Sequence, residues 1–320
     1  MREFVKPNIV ISKCLGFEAC RYNGQIINDE YVSKLAKYVN YIPVCPECEI
    51  GLGIPRFPIR IVKEKDKLKL VQPKTGKDCT DDMVRFSETF LKGLKNIDGF
   101  ILKFRSPSCG INDVSIYPPS EKASPVGKGP GFFGNKVMEM FPGLSIEHEG
   151  RLKNFKLREH TLTKLFALAS FRGHKKKMSD LVKFHSNNKY LFMAYNQNNM
   201  RMMGKIVANH EKLKLEEVME KYESVMKETL SNPPKRTSNI NSIMHIFGYF
   251  KNDLSKEEKA FFLETLDLYR EGRIPFTSAM RLLRSWTLRF KSEYLEYQTY
   301  FEPYPEELME LSDSGKKLDL

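Results

Sequence analysis

The chemistry open to this chain starts with its cysteines. Three of the six stand in the same kind of place. Cys14 follows Asn8-Ile9-Val10-Ile11, and Cys45 follows Tyr41-Ile42-Pro43-Val44. Cys109 lies in Ser106-Pro107-Ser108-Cys109-Gly110, after Phe100-Ile101-Leu102-Lys103-Phe104. Each apolar run reads as a short buried strand, and Pro107 and Gly110 stop regular structure from running on through the third segment. Thiols at three strand ends suggest one shared site, because open α/β sheets bind ligands at the carboxyl ends of their strands. Thiolates select soft metals, so zinc or an iron–sulfur cluster is the natural occupant. Three protein ligands leave a fourth metal position open, where an outside ligand can bind and be polarised. The plain alternative is that these are buried cysteines acting as small hydrophobes.

The neighbours extend the chemistry. Glu47 stands two residues from Cys45 and should reach the same pocket, where a carboxylate can activate water as a general base; its alternative is a solvated loop glutamate. Ser106 and Ser108 flank Cys109 and can donate hydrogen bonds to a cluster sulfur or a substrate oxygen, or simply cap the turn. Arg21, Arg56 and Lys103 lie near the cysteine segments and can bind an anionic group on a substrate. Cys45-Pro46-Glu47-Cys48 also has the spacing of a redox dithiol or of half a zinc site. No second C-x-x-C completes a four-cysteine zinc site, and a dithiol leaves Cys14 and Cys109 unexplained.

Positioning these residues requires alternating elements. Asn28-Asp29-Glu30 is a helix start, followed by Val32, Leu35, Ala36 and Val39 at helical spacing. Residues 51–58 are too rich in Gly and Pro for regular structure, and 59–62 and 67–71 read as short strands. Thr80-Asp81-Asp82 caps a helix running to about Asn96, with Met83, Phe86, Phe90, Leu91 and Leu94 on one side. Residues 127–131 read as a flexible loop, 137–141 as a short helix and 144–147 as a last strand. Such alternation predicts an α/β domain over residues 1–150 with a mainly parallel, Rossmann-like sheet. From 151 to 320 strand signals vanish. Helical periods near 158–185, 187–210, 213–230, 238–250, 255–270, 276–299 and 304–311 predict an all-α second domain.

Composition sets the outer bounds. Apolar residues make up 41% and charged residues 29%, as in globular proteins. No apolar run approaches the ~20 residues that span a bilayer, and Met1-Arg2-Glu3-Phe4-Val5-Lys6-Pro7 lacks the apolar core of a signal peptide. The expected location is the cytoplasm, where sparse cysteines serve as metal ligands or catalytic thiols rather than disulfides. The net charge is +12 and is unevenly spread: residues 151–210 carry 13 Lys and Arg against 2 Asp and Glu. That block holds Phe171-Arg172-Gly173-His174-Lys175-Lys176-Lys177, then Tyr190, Tyr195-Asn196-Gln197-Asn198-Asn199-Met200-Arg201 and Lys205. Basic residues interleaved with aromatics and amides suit RNA, whose phosphates and unstacked bases both need partners. A solvated basic helix face is the alternative.

Four separated motifs occur in a familiar order: Ser12-Lys13-Cys14-Leu15-Gly16 with Arg21-Tyr22-Asn23-Gly24; Val44-Cys45-Pro46-Glu47 with Gly51-Leu52-Gly53-Ile54-Pro55-Arg56; Gly76-Lys77-Asp78 with Thr80; and Leu102-Lys103 with Ser106-Pro107-Ser108-Cys109-Gly110. Over about residues 6–148 they resemble the thiouracil desulfidase family. The second half is similar to the helical YbgA-type domain, through His160-Thr161-Leu162, Phe171-Arg172-Gly173-His174-Lys175, Gly248-Tyr249-Phe250, Tyr294-Leu295 and Pro303-Tyr304-Pro305. The resemblance implies a [4Fe-4S] cluster held by Cys14, Cys45 and Cys109, with one iron not bound by protein. It implies that a thiocarbonyl sulfur binds that iron while water, activated by a side chain such as Glu47, attacks the carbon. Thiouridine in tRNA would then become uridine with release of sulfide and no net redox change. Free thiouracil or a thiolated nucleotide is the alternative substrate. An RNA-binding protein with a structural or electron-transfer cluster is the alternative of another class. In the leading reading, Arg21, Tyr22, Arg56 and Lys103 bind the substrate, and Arg172, His174, Lys175, Lys176 and Arg201 bind RNA. Cys20, Cys48 and Cys79 receive no role.

Overall fold

In the computed structural model, which describes residues 2–120, 123–175 and 177–309, the chain packs as two units. One runs to Ala169 and takes in residues 307–309; the other runs from Ser170 to Glu306. The first unit holds, in chain order, β1 (Asn8–Ser12), α1 (Glu30–Leu35), β2 (Asn40–Val44), α2 (Pro46–Glu49), β3 (Arg60–Glu64), β4 (Lys67–Gln72), β5 (Lys77–Asp78), α3 (Thr80–Gly93), β6 (Gly99–Leu102), β7 (Val114–Tyr117), β8 (Gly127–Gly129), α4 (Phe132–Met140), β9 (Ser145–His148) and most of α5 (Phe155–Gly173).

A four-stranded sheet runs β2-β1-β6-β9, and every pairing in it is parallel. Val10 on β1 stands opposite both Ile42 and Phe100. Ile9, Val10 and Ile11 are buried, as are Phe100, Ile101 and Leu102. Unbroken apolar runs of this kind are what parallel strands need when both faces are covered. The α/β class and its parallel sheet are therefore as expected. A second sheet is new: five strands in the order β5-β4-β3-β7-β8, in which only β3 and β7 pair in parallel. The short strands read at 59–62 and 67–71 form an antiparallel hairpin there. Part of the segment read as a flexible loop at 127–131 is strand β8, with Gly127 opposite Ile116.

One core joins both sheets. Val10, Val44, Phe100 and Leu102 come from the first, Ile61, Leu70 and Val114 from the second, and Met83, Phe133 and Val137 from α3 and α4. Burying each such side chain contributes about 1.5–3 kcal/mol relative to exposure. Leu162 and Leu165 of α5 are also buried, and Phe166 meets the Phe4 ring edge-on at 5.7 Å. The change of composition at 150/151 is thus not where the packing divides. The division falls inside α5, whose first turns complete the sheet unit.

The second unit continues with α6 (Met178–Tyr195), α7 (Gln197–Ala208), α8 (Leu215–Thr229), α9 (Arg236–Phe247), α10 (Lys256–Glu271), α11 (Phe276–Arg289) and α12 (Glu293–Glu296). The helix read at 187–210 breaks at Asn196, whose side chain leaves α6 to accept from the Asn198 and Asn199 N–H groups, capping α7. The 304–311 segment holds one 3-10 turn, Glu306–Leu308, and its residues 310–311 lie outside the described residues. No helix among the described residues is long and apolar enough to cross a membrane.

Two aromatic groups fill this unit. Phe171 stacks on Tyr222 at 5.5 Å, and Phe247 stacks on Phe262 at 4.8 Å. His185 sits beside the first group, with Nδ1 3.0 Å from the Tyr222 hydroxyl oxygen. Burial, reinforced by the nearby Lys189 cation, pushes its pKa down to about 4. An unfolded chain protonates this imidazole below about 6.5, so it binds more protons than the folded chain between about 6.5 and about 4. Stability should therefore fall as pH falls through that window. His185→Phe should lose less stability than the parent between pH of about 7 and about 4.5 when urea midpoints are compared. Equal losses would remove His185 as a cause.

Candidate active site

Strands β2, β1 and β6 are neighbours, and their carboxyl ends lie side by side. Lys13 N–H donates to the Val44 carbonyl at 2.8 Å, and Lys103 N–H donates to Ser12 Oγ at 2.8 Å, tying the three ends together. Cys14 follows β1 in a turn whose Leu15 N–H donates to the Ser12 carbonyl. Cys45 is the N-cap of α2, with Pro46 in the first turn, where a missing N–H is tolerated. Cys109 sits in a turn closed by the Gly110 N–H on the Ser106 carbonyl at 2.8 Å. The start of α4 grips this turn: Gly131 N–H donates to the Gly110 carbonyl and Gly134 N–H to the Ser108 carbonyl. A Cβ on Gly131 would lie 2.5 Å from the Ser108 carbonyl oxygen, and one on Gly134 would lie 2.2 Å from that of Gly110. Only glycine permits so close an approach.

These turns surround a cavity of about 350 Å³. Cys14, Cys45, Cys109, Glu47, Ser106, Ser108, Arg21, Tyr22, Arg56 and Lys103 all line it, as does Cys20. Every candidate for cluster, catalysis or substrate binding thus reaches one wall. Cys48 does not; it is half-buried, with Sγ 3.8 Å from Arg56 Nη1. Cys79 is buried at the N-terminus of α3, within the core. Cys20 is the residue missed by sequence reasoning. It is fully buried, and its backbone carbonyl accepts from Arg56 Nη1 at 3.0 Å and from Cys45 Sγ at 3.8 Å. No strand precedes it, so strand-end logic passed it over; the adjoining Arg21-Tyr22-Asn23-Gly24 motif was the available signal.

Three of these thiols, Cys20, Cys45 and Cys109, are held protonated at neutral pH. The neighbouring Cys14 thiol, and then burial, raise Cys20. Burial raises Cys45 and pushes Cys109 up to about 12. A thiol is a nucleophile only as its thiolate, so Cys109 is poorly placed to attack a substrate by itself. A bound cation would draw off these protons, and its affinity would fall as pH falls.

Glu47 is held on both sides. Oε2 accepts from Arg56 Nε at 2.9 Å and Nη2 at 2.7 Å. Oε1 accepts from Ser108 Oγ at 2.8 Å, and Ser108 Oγ lies 2.9 Å from Ser106 Oγ. Arg56 Nη1 donates to the Cys20 and Gly53 carbonyls at 3.0 and 3.1 Å. Its guanidinium is therefore engaged within the fold, and Arg56 positions Glu47 rather than offering a free cation to a substrate. The side chains of this pair are only 4% and 12% exposed. Arg56→Ala should lower unfolding stability by about 3–5 kcal/mol, because it strands a buried carboxylate. Arg56→Lys should recover part of that loss, since a lysine restores the charge but not the fork. A urea midpoint unchanged by Arg56→Ala would contradict this.

Lys103 is likewise paired. Its Nζ contacts Glu149 Oε1, and Glu149 Oε2 accepts from the Phe104 N–H at 2.9 Å. The cations left facing the mouth on aromatic supports are Arg21, 5.6 Å from the Tyr22 ring, and Arg105, 4.7 Å from the Phe104 ring. Arg105 lines the cavity and has φ of +56°, a conformation that non-glycine residues hold at a cost. Nothing in its sequence context marks it.

The RNA candidates are in varied settings. His174 Nδ1 lies 2.7 Å from the Ser170 carbonyl oxygen, and its ring packs on Phe184. Lys175 contacts Glu223 and lies 4.8 Å from the Phe171 ring. Arg172 is half-buried, whereas Arg201 is exposed on α7. Lys176 lies outside the described residues.

Thiols, a held carboxylate and cations gathered at the carboxyl edge of a parallel sheet define a ligand-binding α/β enzyme domain. Residues 9–149 match the family described as 2-thiouracil desulfurase. Residues 189–305 match a protein of unknown function, DUF1722. YbbK of Bacillus subtilis (strain 168) is 36% identical over 110 residues, covering 32% of this chain and 72% of that protein. YbgA of Escherichia coli (strain K12) is 27% identical over 161 residues, covering 49% of this chain and 95% of that protein. The solved structure of the [4Fe-4S]-dependent thiouracil desulfidase TudS is 27% identical, with a TM-score of 0.36, covering 46% of this chain and 93% of that one. The chain belongs to the 2-thiouracil desulfurase family, with a YbgA-type helical domain behind the desulfurase domain.

Proposed function

We propose that this chain is a [4Fe-4S]-dependent desulfidase that converts 4-thiouridine in tRNA to uridine. The observation that carries the reading is the set of three thiols on three adjacent strand ends, around one cavity that also holds a fixed carboxylate. The donor set fits such a cofactor. Cysteine sulfurs are the usual ligands of iron–sulfur clusters. Among the described residues no three His, Cys, Asp or Glu side chains gather at single-ion spacing, and thiols spread around a cavity suit a wider, multi-iron group. Cys14, Cys45 and Cys109 would hold it, leaving one iron without a protein ligand. When bound, the cluster supplies a soft Lewis acid able to polarise a thiocarbonyl.

The protein groups do the rest. Glu47 takes the proton of a water that adds to the thiocarbonyl carbon. Ser108 holds Oε1 by its hydroxyl while Arg56 holds Oε2, so the carboxylate cannot turn away. The sum is thiocarbonyl plus water giving carbonyl plus hydrogen sulfide, with no electron exchanged. Arg21 and Tyr22 at the mouth would bind the nucleotide around the thiolated base. The basic stretch 151–210 supports a polyanionic partner. The reaction then belongs in the cytoplasm, the compartment of tRNA and of reduced thiols.

The test is anaerobic incubation of cluster-loaded protein with thiolated tRNA and, separately, with free thiouracil, across a salt series. The thiouridine absorbance of the tRNA should disappear, and its rate should fall steeply with salt while any rate on free thiouracil does not. Turnover of thiouracil alone would move the substrate to the free base. No turnover of either would leave a non-catalytic cluster.

A further inference from the structure

We infer that a polar cavity in the helical unit is a pocket for one unstacked base of an RNA. This rests on the reading above that RNA is the partner, and it names where a base would enter. The cavity measures about 420 Å³ and lies where the α6–α7 junction meets the α8–α9 junction. Its wall carries Tyr195, Gln197, Asn198, Glu228, Asn232 and Lys235.

The chemistry of that wall favours a base over the other things a basic domain can hold. A phosphate site is built from cations and N–H donors, but here a carboxylate, Glu228, stands in the wall and Lys235 is its cation. An apolar peptide face has nothing to bury against amides. A base edge presents donors and acceptors together, which amides match in pairs and a carboxylate completes by accepting from an amino group. Tyr195 adds an aromatic side chain of the type on which bases stack. Asn196 is excluded from the set because its oxygen caps α7; Asn198 and Asn232 are exposed, and among the described residues Asn232 Nδ2 donates only to Ser231 Oγ, 3.0 Å away on the same wall.

The experiment uses the full-length protein and an unmodified tRNA transcript, so that no sulfur chemistry intervenes. Affinity is measured by filter binding over a salt series for the parent, for Asn198→Ala with Asn232→Ala, and for Arg201→Ala. The paired asparagine variant should bind about tenfold more weakly at every salt concentration, with the slope of log affinity against log salt unchanged, because a base contact releases no counterions. Arg201→Ala should instead flatten the slope. Both asparagines are exposed, and an unchanged thermal midpoint confirms that the variant is folded. Parent-like affinity in the asparagine variant overturns the pocket and leaves RNA binding standing. A flattened slope in that variant makes the site a phosphate contact and overturns it too. If the parent itself does not bind the transcript, the RNA reading fails and the pocket with it.

Discussion

Glu47→Gln is expected to lower turnover by about 10²–10⁴-fold, the range lost with a general base, while the iron–sulfur absorbance of the protein stays as it was. The geometry makes this a clean substitution. Glutamine has the same length and shape, and its amide can still meet Ser108 and, through its oxygen, Arg56. What it cannot do is accept a proton from water. Glu47 is not one of the thiols on the wall, so its loss leaves the sulfur ligands untouched. The measurement is kcat on thiolated tRNA beside the optical spectrum of the same sample. Full turnover with an intact spectrum would remove Glu47 from the chemistry. Loss of the spectrum would instead make Glu47 a support of the cluster site.

Cys14→Ala, Cys45→Ala and Cys109→Ala should each abolish both the cluster absorbance and the activity after anaerobic reconstitution. Each removes one of three proposed anchors, which follow three different strands. Cys48→Ala and Cys79→Ala should keep both properties, because Cys48 stands off the cavity wall and Cys79 lies in the core. This pair of outcomes separates Cys45 from Cys48, which share a C-x-x-C spacing and are indistinguishable by that spacing alone. Cys20→Ala should keep the cluster but lower stability, since it empties a fully buried position beside two of the anchors. Iron content equal to the parent in any of the three anchor variants would mean that the anchors are misassigned.

What could be read from the chain follows from the range of the physics involved. Strand-end thiols are legible because an apolar run and the residue that ends it are contiguous. The same holds for helices of the second unit, whose period repeats locally. Partners far apart in sequence are not legible in this way. Arg56 and Lys103 were both marked as cations near the site, and both do line the cavity, but neither mark revealed that Glu47 and Glu149 engage them. The second sheet escaped notice because its hairpin gives the same short apolar signals as strands of the first, while β5 (Lys77–Asp78) and β8 (Gly127–Gly129) carry no apolar side chain at all. Cys20 escaped because its place is set by contacts of its carbonyl with Arg56, 36 residues on, and with Cys45 rather than by any local pattern.

The grip of α4 on the Cys109 turn has a consequence for the order in which the protein is made. Two of the proposed cluster ligands, Cys14 and Cys45, lie within the first 45 residues, and the turn of the third, Cys109, is fixed by carbonyl contacts to Gly131 and Gly134. Domains form from the N-terminus as the chain emerges. A nascent chain that has not yet delivered Gly134 therefore carries two placed thiols and a third on an unsupported turn. On the proposed ligand assignment, cluster loading would follow that point in synthesis, and a ribosome-stalled chain ending before α4 should take up less iron than one ending after it.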